Sequence, residues 1–162
     1  MITDEVAAQV TILPVPVADL FSAPNSADLH RSYATECLVP NAQPQFAIYS
    51  AMEQAGVLKC FAAYVYPQSD NQPVLIGFLS LLCTVMPHNG KRWATVESVF
   101  VDPVYRSTGA GNSLLDHAER YAQDSGCLGI TGTARVGSAF DTVLSHRPGY
   151  ALTHSQHTRW FA

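Results

Sequence analysis

A loop rich in small residues carries the clearest chemical signal in this sequence of 162 residues. It reads Arg-Ser-Thr-Gly-Ala-Gly-Asn over residues 106–112, and it lies between an apolar stretch that ends at Val101 and a helical pattern that begins near Leu114. Glycine lets a backbone approach a ligand closely, and the first turn of a helix offers unpaired N–H groups and the positive end of its dipole. The loop is therefore typical of a backbone-lined site for an anion such as a phosphate group.

The same loop does not fit two common phosphate-binding motifs. A Walker loop has a lysine after its last glycine, and none follows here. A dinucleotide fingerprint has a third glycine at the position that Leu114 occupies. A Gly-x-Gly sequence is a weak signal by itself, so an ordinary tight turn before a helix is the alternative.

One carboxylate interrupts the apolar stretch before the loop. Strand alternation predicts that five residues share one face of this stretch: Trp93, Thr95, Glu97, Val99 and Val101. A carboxylate in so apolar a strand needs a partner, because burying an unpaired charge is costly. Glu97 is therefore a candidate general base, and the alternative is a structural carboxylate paired with an arginine such as Arg135.

Residues 95–120 resemble the coenzyme A-binding motif of the Gcn5-related N-acetyltransferase (GNAT) superfamily, whose core is Arg/Gln-x-x-Gly-x-Gly/Ala. The core here is Arg106-Ser107-Thr108-Gly109-Ala110-Gly111. The valine that the family has five residues before the arginine matches Val101, and its frequent Asp-Pro matches Asp102-Pro103. The resemblance extends more loosely to residue 150, where Pro148-Gly149-Tyr150 is similar to the Gly-Phe that follows the last helix in the family.

The resemblance implies an acyl-CoA-dependent N-acetyltransferase that uses acetyl-coenzyme A as co-substrate and no metal. A primary amine would attack the thioester directly in a ternary complex, with Glu97 as the catalytic base, because many family members carry a glutamate near this point. The thioester would lie where the strands at 92–101 and 128–134 separate. The implied cofactor-binding residues are Phe100, Val101, Arg106, Ser107, Thr108, Gly109, Ala110, Gly111 and Asn112.

Two positions depart from the family pattern. Ser145 stands where many relatives have a tyrosine that protonates the departing thiolate, and Ser138 stands where an asparagine often contacts the cofactor. These departures leave two alternatives open: a non-catalytic coenzyme A-binding module with a structural or regulatory role, and a protein N-terminal acetyltransferase. Glu97 argues against the first, since a pure binder has no need of a base.

Periodicity and turn residues predict the elements that position these groups. Strands are expected at 9–13, 58–66, 74–86, 92–101 and 128–134, with a last one from residue 150 towards 161. Helices are expected over 19–37 with a break at Pro24, over 43–55, from about Leu114 to a stop at Gly126, and over 138–146. The pattern and the resemblance together predict an α/β (α+β) fold in one domain, residues 1–162, with a mixed, mostly antiparallel central sheet and helices on both faces.

Composition limits the classes of protein and partner. The chain is 48% hydrophobic and 14% charged, which excludes an intrinsically disordered protein, and a net charge of −4 with two lysines disfavours nucleic acid as a partner. Four cysteines form no C-x-x-C pair, and the longest apolar run, at 74–86, is too short to span a membrane. With an acidic N-terminus, these features predict a cytoplasmic protein that acts on a small-molecule or peptide amine. The low charge is also compatible with a homodimer.

Overall fold

The computed structural model describes residues 9–37, 43–67, 72–159 and 161. The chain forms two compact units, residues 1–132 and residues 133–162. The strands of the first unit are β1 (Val10–Val15), β2 (Leu58–Val65), β3 (Val74–Val85), β4 (Arg92–Val101) and β5 (Cys127–Gly132). Its helices are α1 (Val17–Ser22), α2 (Ser26–Cys37), α3 (Phe46–Gln54) and α4 (Ala110–Asp124), and a short 3-10 helix spans Pro103–Thr108.

The strands form one sheet in the order β1-β2-β3-β4-β5. The first four are antiparallel to their neighbours, whereas β5 runs parallel to β4. The predicted mixed, mostly antiparallel sheet is confirmed, and the break at Pro24 does separate α1 from α2. Pro14 does not end the first strand as expected, because β1 lies at the sheet edge, where a missing backbone N–H is tolerated.

Helices cover both faces of the sheet, as predicted. Cys60 and Ala62 of β2 belong to a core that also contains buried residues of α1 and α2, such as Leu20 and Leu29. Phe61, between those two β2 residues, points to the opposite face by strand alternation, and its ring contacts Tyr121 of α4. The sheet is therefore filled from one side by α1–α3 and from the other by α4.

The amphipathic pattern of α4 explains its position. Leu114, Leu115 and Ala118 are fully buried on one side of this helix. At 15 residues α4 is longer than the other helices described, and none of the described helices has the length and apolar character needed to cross a membrane.

The second unit contains α5 (Ala139–His146), which includes Ser145. Ser138 is the N-cap of this helix, and its hydroxyl accepts a hydrogen bond of 3.2 Å from the Asp141 backbone N–H. The predicted last strand is wrong: residues 150–159 form neither helix nor strand. Most of these residues are small or polar, and their one large aliphatic side chain, Leu152, is 97% exposed, so no apolar face forms.

Candidate active site

A β-bulge places Glu97 at an irregular point of β4. Opposite strand β3, Leu81 pairs with Val96 and the next residue, Ser80, pairs with Ser98. Glu97 is therefore the extra residue, without a partner on β3. Bulges redirect side chains and bend the strand, and they are common next to active sites.

The bulge corrects the predicted face of β4. Val99 pairs with Leu79, which shares a face with Leu81, the partner of Val96. Val99 and Val101 therefore lie on the face that α4 covers, whereas Trp93 and Thr95 lie on the other face. Strict alternation from 93 to 101 is wrong because the bulge shifts its phase by one residue.

The pairing of β4 with β5 ends in the middle of β4. Their pairing ends at Val96 and Gly132, although β4 continues to Val101. Within the paired part of β4, a side-chain contact also links the two strands. The indole N–H of Trp93 donates a hydrogen bond of 2.8 Å to Thr131 Oγ1. The same ring lies over Gly129, where any Cβ would come within 2.6 Å of it. The residues of β4 from Glu97 to Val101 therefore lie beyond the pairing with β5, at the point where the cleft between these strands is expected.

Glu97 has a hydrogen-bond partner that the sequence did not suggest. The hydroxyl of Tyr49, on α3, donates a 2.8 Å hydrogen bond to Glu97 Oε2. Burial, followed by the charge of Glu97, raises the pKa of Tyr49, so the phenol stays protonated and remains a donor at neutral pH. Arg135, which was the alternative partner of Glu97, belongs to the second unit. Within the first unit, the exposed carboxylate of Glu97 pairs with the neutral phenol of Tyr49.

The predicted anion-binding loop is open at its centre. Asp102 begins the 3-10 helix, its Oδ1 accepting a 3.0 Å hydrogen bond from the Val104 N–H. Gly109 then takes a left-handed conformation, with φ of 82°, and α4 starts at the next residue with no side-chain cap. A Cβ at Gly109 would meet no atom within 4 Å. The loop is therefore open at Gly109, while the first amide of α4, that of Ala110, donates a 3.4 Å hydrogen bond to Thr108 Oγ1.

Arg106 ties this loop to the rest of the first unit. Its Nε donates a 2.9 Å hydrogen bond to the carbonyl of Val101 at the end of β4. The same guanidinium forms a 2.8 Å ion pair with Glu36 of α2 and lies over the Phe100 ring at 5.5 Å. The side chain of this predicted cofactor residue thus has three partners within the protein. Glu36 was not anticipated, because it lies 70 residues away in sequence.

The remaining loop residues pack the turn from within. Ala110 is fully buried, and Thr108 donates a 2.7 Å hydrogen bond from its hydroxyl to the Tyr105 carbonyl. A Cβ at Gly111 would lie 3.9 Å from Val101, so the helix start packs against the end of β4. The predicted residues from Phe100 to Asn112 therefore form one continuous segment, which consists of the strand end, the turn and the helix start.

The sequence matches the model of the acetyltransferase (GNAT) family over residues 27–138. The chain belongs to this family. It is an acyl-CoA-dependent N-acetyltransferase, as the loop motif implied. The matched region includes Tyr49, Glu97 and the whole loop.

Solved structures of other acetyltransferases share the GNAT fold of this chain. Ribosomal-protein-alanine N-acetyltransferase from Brucella melitensis biovar Abortus 2308 superposes with a TM-score of 0.68 at 19% identity, over 94% of this chain and 99% of the other. An aminoglycoside acetyltransferase from an uncultured soil metagenomic sample, in complex with sisomicin, gives 0.70 at 17% identity, over 94% and 96%. AAC(6')-Iy, in complex with the bisubstrate analog CoA-S-monomethyl-acetylneamine, gives 0.63 at 19% identity, over 96% and 99%. No curated protein matches the sequence.

Proposed function

We propose that this GNAT acetyltransferase transfers an acetyl group from acetyl-coenzyme A to a primary amine by direct attack in a ternary complex, with Glu97 as the general base. One observation carries the proposal: the only exposed carboxylate of β4 lies at a bulge, directly after the last residue of β4 that pairs with β5. A base at that point reaches both a donor bound along β4 and an acceptor that enters the cleft.

The loop and the strand end fit the two halves of coenzyme A. The amides of residues 107–112 would receive a pyrophosphate at this loop, which is open at Gly109 and lies at the N-terminus of α4, where the helix dipole is positive. The backbone of Phe100 and Val101 has no β5 partner, so this end of β4 offers an edge for a pantetheine arm, apart from the Val101 carbonyl, which accepts from Arg106. Arg106 supports both regions by linking Val101 to the loop.

Glu97 would supply the proton acceptor that the reaction requires. An alkylammonium has a pKa near 10, so the amine must lose a proton before its nitrogen attacks the thioester carbon. The carboxylate takes this proton directly or through a water molecule. A C–N bond forms, the C–S bond breaks, and coenzyme A leaves as a thiolate, while the second proton that the nitrogen loses passes to this thiolate or to solvent. A thiol with a pKa near 8.5 is a good leaving group at neutral pH, which reduces the need for an acid at Ser145.

Two buried cysteines support direct attack over a covalent acyl-enzyme. Cys60 and Cys83 lie in the sheet interior, where burial raises the pKa of Cys60 to about 11 and also raises that of Cys83. Neither thiol forms the thiolate that a nucleophile needs at neutral pH. The structure of AAC(6')-Iy with a bisubstrate analog is consistent with a GNAT fold that accommodates both substrates at once.

Steady-state kinetics with both substrates varied test this proposal. A panel of amines that includes peptide N-termini, amino acids, polyamines and aminoglycosides first identifies an acceptor by thiol release. Double-reciprocal plots for that acceptor should converge, as a ternary complex requires. Parallel lines would overturn direct attack, because they indicate an acyl-enzyme. Binding of acetyl-coenzyme A without turnover for any amine would support the non-catalytic module instead.

A further inference from the structure

We propose that Tyr49 is the positioning residue for Glu97: its hydroxyl holds one carboxylate oxygen and leaves the other to receive the proton of the amine. The inference rests on the proposed function of Glu97 as the base. It adds a residue from α3 to a site otherwise built from β4 and the loop.

The position of the Tyr49 ring is determined by its packing. Tyr49 is half-buried on α3 and packs against the core that α1 and α2 form on the sheet. Its ring centroid lies 5.5 Å from that of Phe21, whose ring also contacts Phe46 at 5.6 Å. An aromatic ring held on one side by another aromatic residue delivers its hydroxyl to a defined point, and that point is 2.8 Å from Glu97 Oε2.

A row of buried polar groups leads to the same hydroxyl. Cys60 Sγ lies 3.6 Å from Ser80 Oγ, and Ser80 pairs with Ser98 across β3 and β4. Ser80 and Ser98 are only 1% and 4% exposed, although both face the apolar core below α3. The Ser98 side chain lies near the Tyr49 hydroxyl. Buried hydroxyls need partners, and this row ends at the phenol that contacts Glu97.

The bulge explains why Glu97 needs such a partner. As the unpaired residue of the bulge, Glu97 has an exposed side chain with several accessible rotamers. The hydrogen bond from Tyr49 selects one of them.

Tyr49→Phe tests the inference, because phenylalanine keeps the ring and its packing and removes only the hydroxyl. We expect kcat to fall by about tenfold to a hundredfold, the usual value of a hydrogen bond to a charged group. The KM for the amine and the affinity for acetyl-coenzyme A should not change, so the loss is confined to kcat. Tyr121→Phe, on the opposite face, is the matched control and should retain wild-type rates.

A double mutant separates positioning from an independent role. In the Glu97→Gln background, Tyr49→Phe should cause less than about threefold further loss, because the group on which it acts is gone. Full additivity, or a wild-type kcat for Tyr49→Phe, would overturn the inference while Glu97 remains the base. A wild-type rate for Glu97→Gln would overturn the proposed base and this inference with it.

Discussion

Gly109→Trp should abolish the binding of acetyl-coenzyme A, because the indole would fill the open space from which the amides of the loop reach a pyrophosphate. The structure adds a second effect to this substitution. Gly109 has φ of 82°, so any side chain there also strains the backbone. A control must therefore carry the same strain at another site. Gly90, in the turn between β3 and β4, has φ of 66° and also has no atom within 4 Å of a Cβ.

The expected magnitudes distinguish the two variants. A left-handed conformation costs about 1–2 kcal/mol for an L-residue, which lowers the Tm of a domain of this size by roughly 2–8 °C in both Gly109→Trp and Gly90→Trp. Acetyl-coenzyme A at a hundred times its Kd adds about 2.7 kcal/mol of stability, or roughly 5–11 °C. Wild type and Gly90→Trp should show this full increase, and Gly109→Trp should show almost none.

Thermal unfolding with and without acetyl-coenzyme A measures all three proteins under the same conditions. Isothermal titration then gives the Kd directly. An equal increase in Tm for Gly109→Trp and Gly90→Trp would refute the assignment of the loop as the pyrophosphate site. Loss of the increase in both would show that backbone strain, and not occupation of the loop, was responsible.

Three other substitutions test neighbouring parts of the account. Arg106→Ala should lower the free energy of unfolding by about 2–3 kcal/mol in urea titrations. It removes a charge-assisted hydrogen bond to Val101 and a partly exposed ion pair with Glu36. A change below about 1 kcal/mol would contradict this bridging role. Burial lowers the pKa of His30 below its ordinary value, so the unfolded chain binds more protons than the folded protein does. The free energy of unfolding should therefore fall as the pH drops through about 6.5 towards 5. His30→Phe should flatten this pH dependence in unfolding titrations. Ser145→Ala should keep kcat within about tenfold of wild type in the thiol-release assay, whereas a thousandfold loss with intact cofactor binding would make Ser145 part of the catalytic machinery.

Local patterns were sufficient to predict most of the fold. The predicted bounds of β2, β3 and β4 agree with the structure to within one residue, because each strand is an apolar run closed by turn residues. Gly109 was recognisable for the same reason: it lies where a strand and an amphipathic helix require a sharp turn. The last strand failed because residues 150–159 offer no apolar face that a sheet could bury.

The geometry around Glu97 depends on distant parts of the chain and was not predictable locally. The bulge arises from the register between β3 and β4, which no single strand encodes. Tyr49 lies 48 residues from Glu97, and its position on α3 is equally typical of a core aromatic. Glu97 could therefore be selected as a carboxylate in an apolar strand, whereas its hydrogen-bond partner and its place just beyond the pairing of β4 with β5 required the assembled sheet.

The most direct test of the account compares wild type with Glu97→Gln in acetyl transfer to the best acceptor of the amine panel. Thiol release and the N-acetylated product should be measured in the same reaction, together with the Kd for acetyl-coenzyme A. Wild type should release thiol and form acetylated amine in equal amounts. Glu97→Gln should have a kcat lower by about 10²–10⁴-fold with an unchanged Kd for acetyl-coenzyme A. Equal turnover by the two proteins, or thiol release without an acetylated amine, would contradict the account.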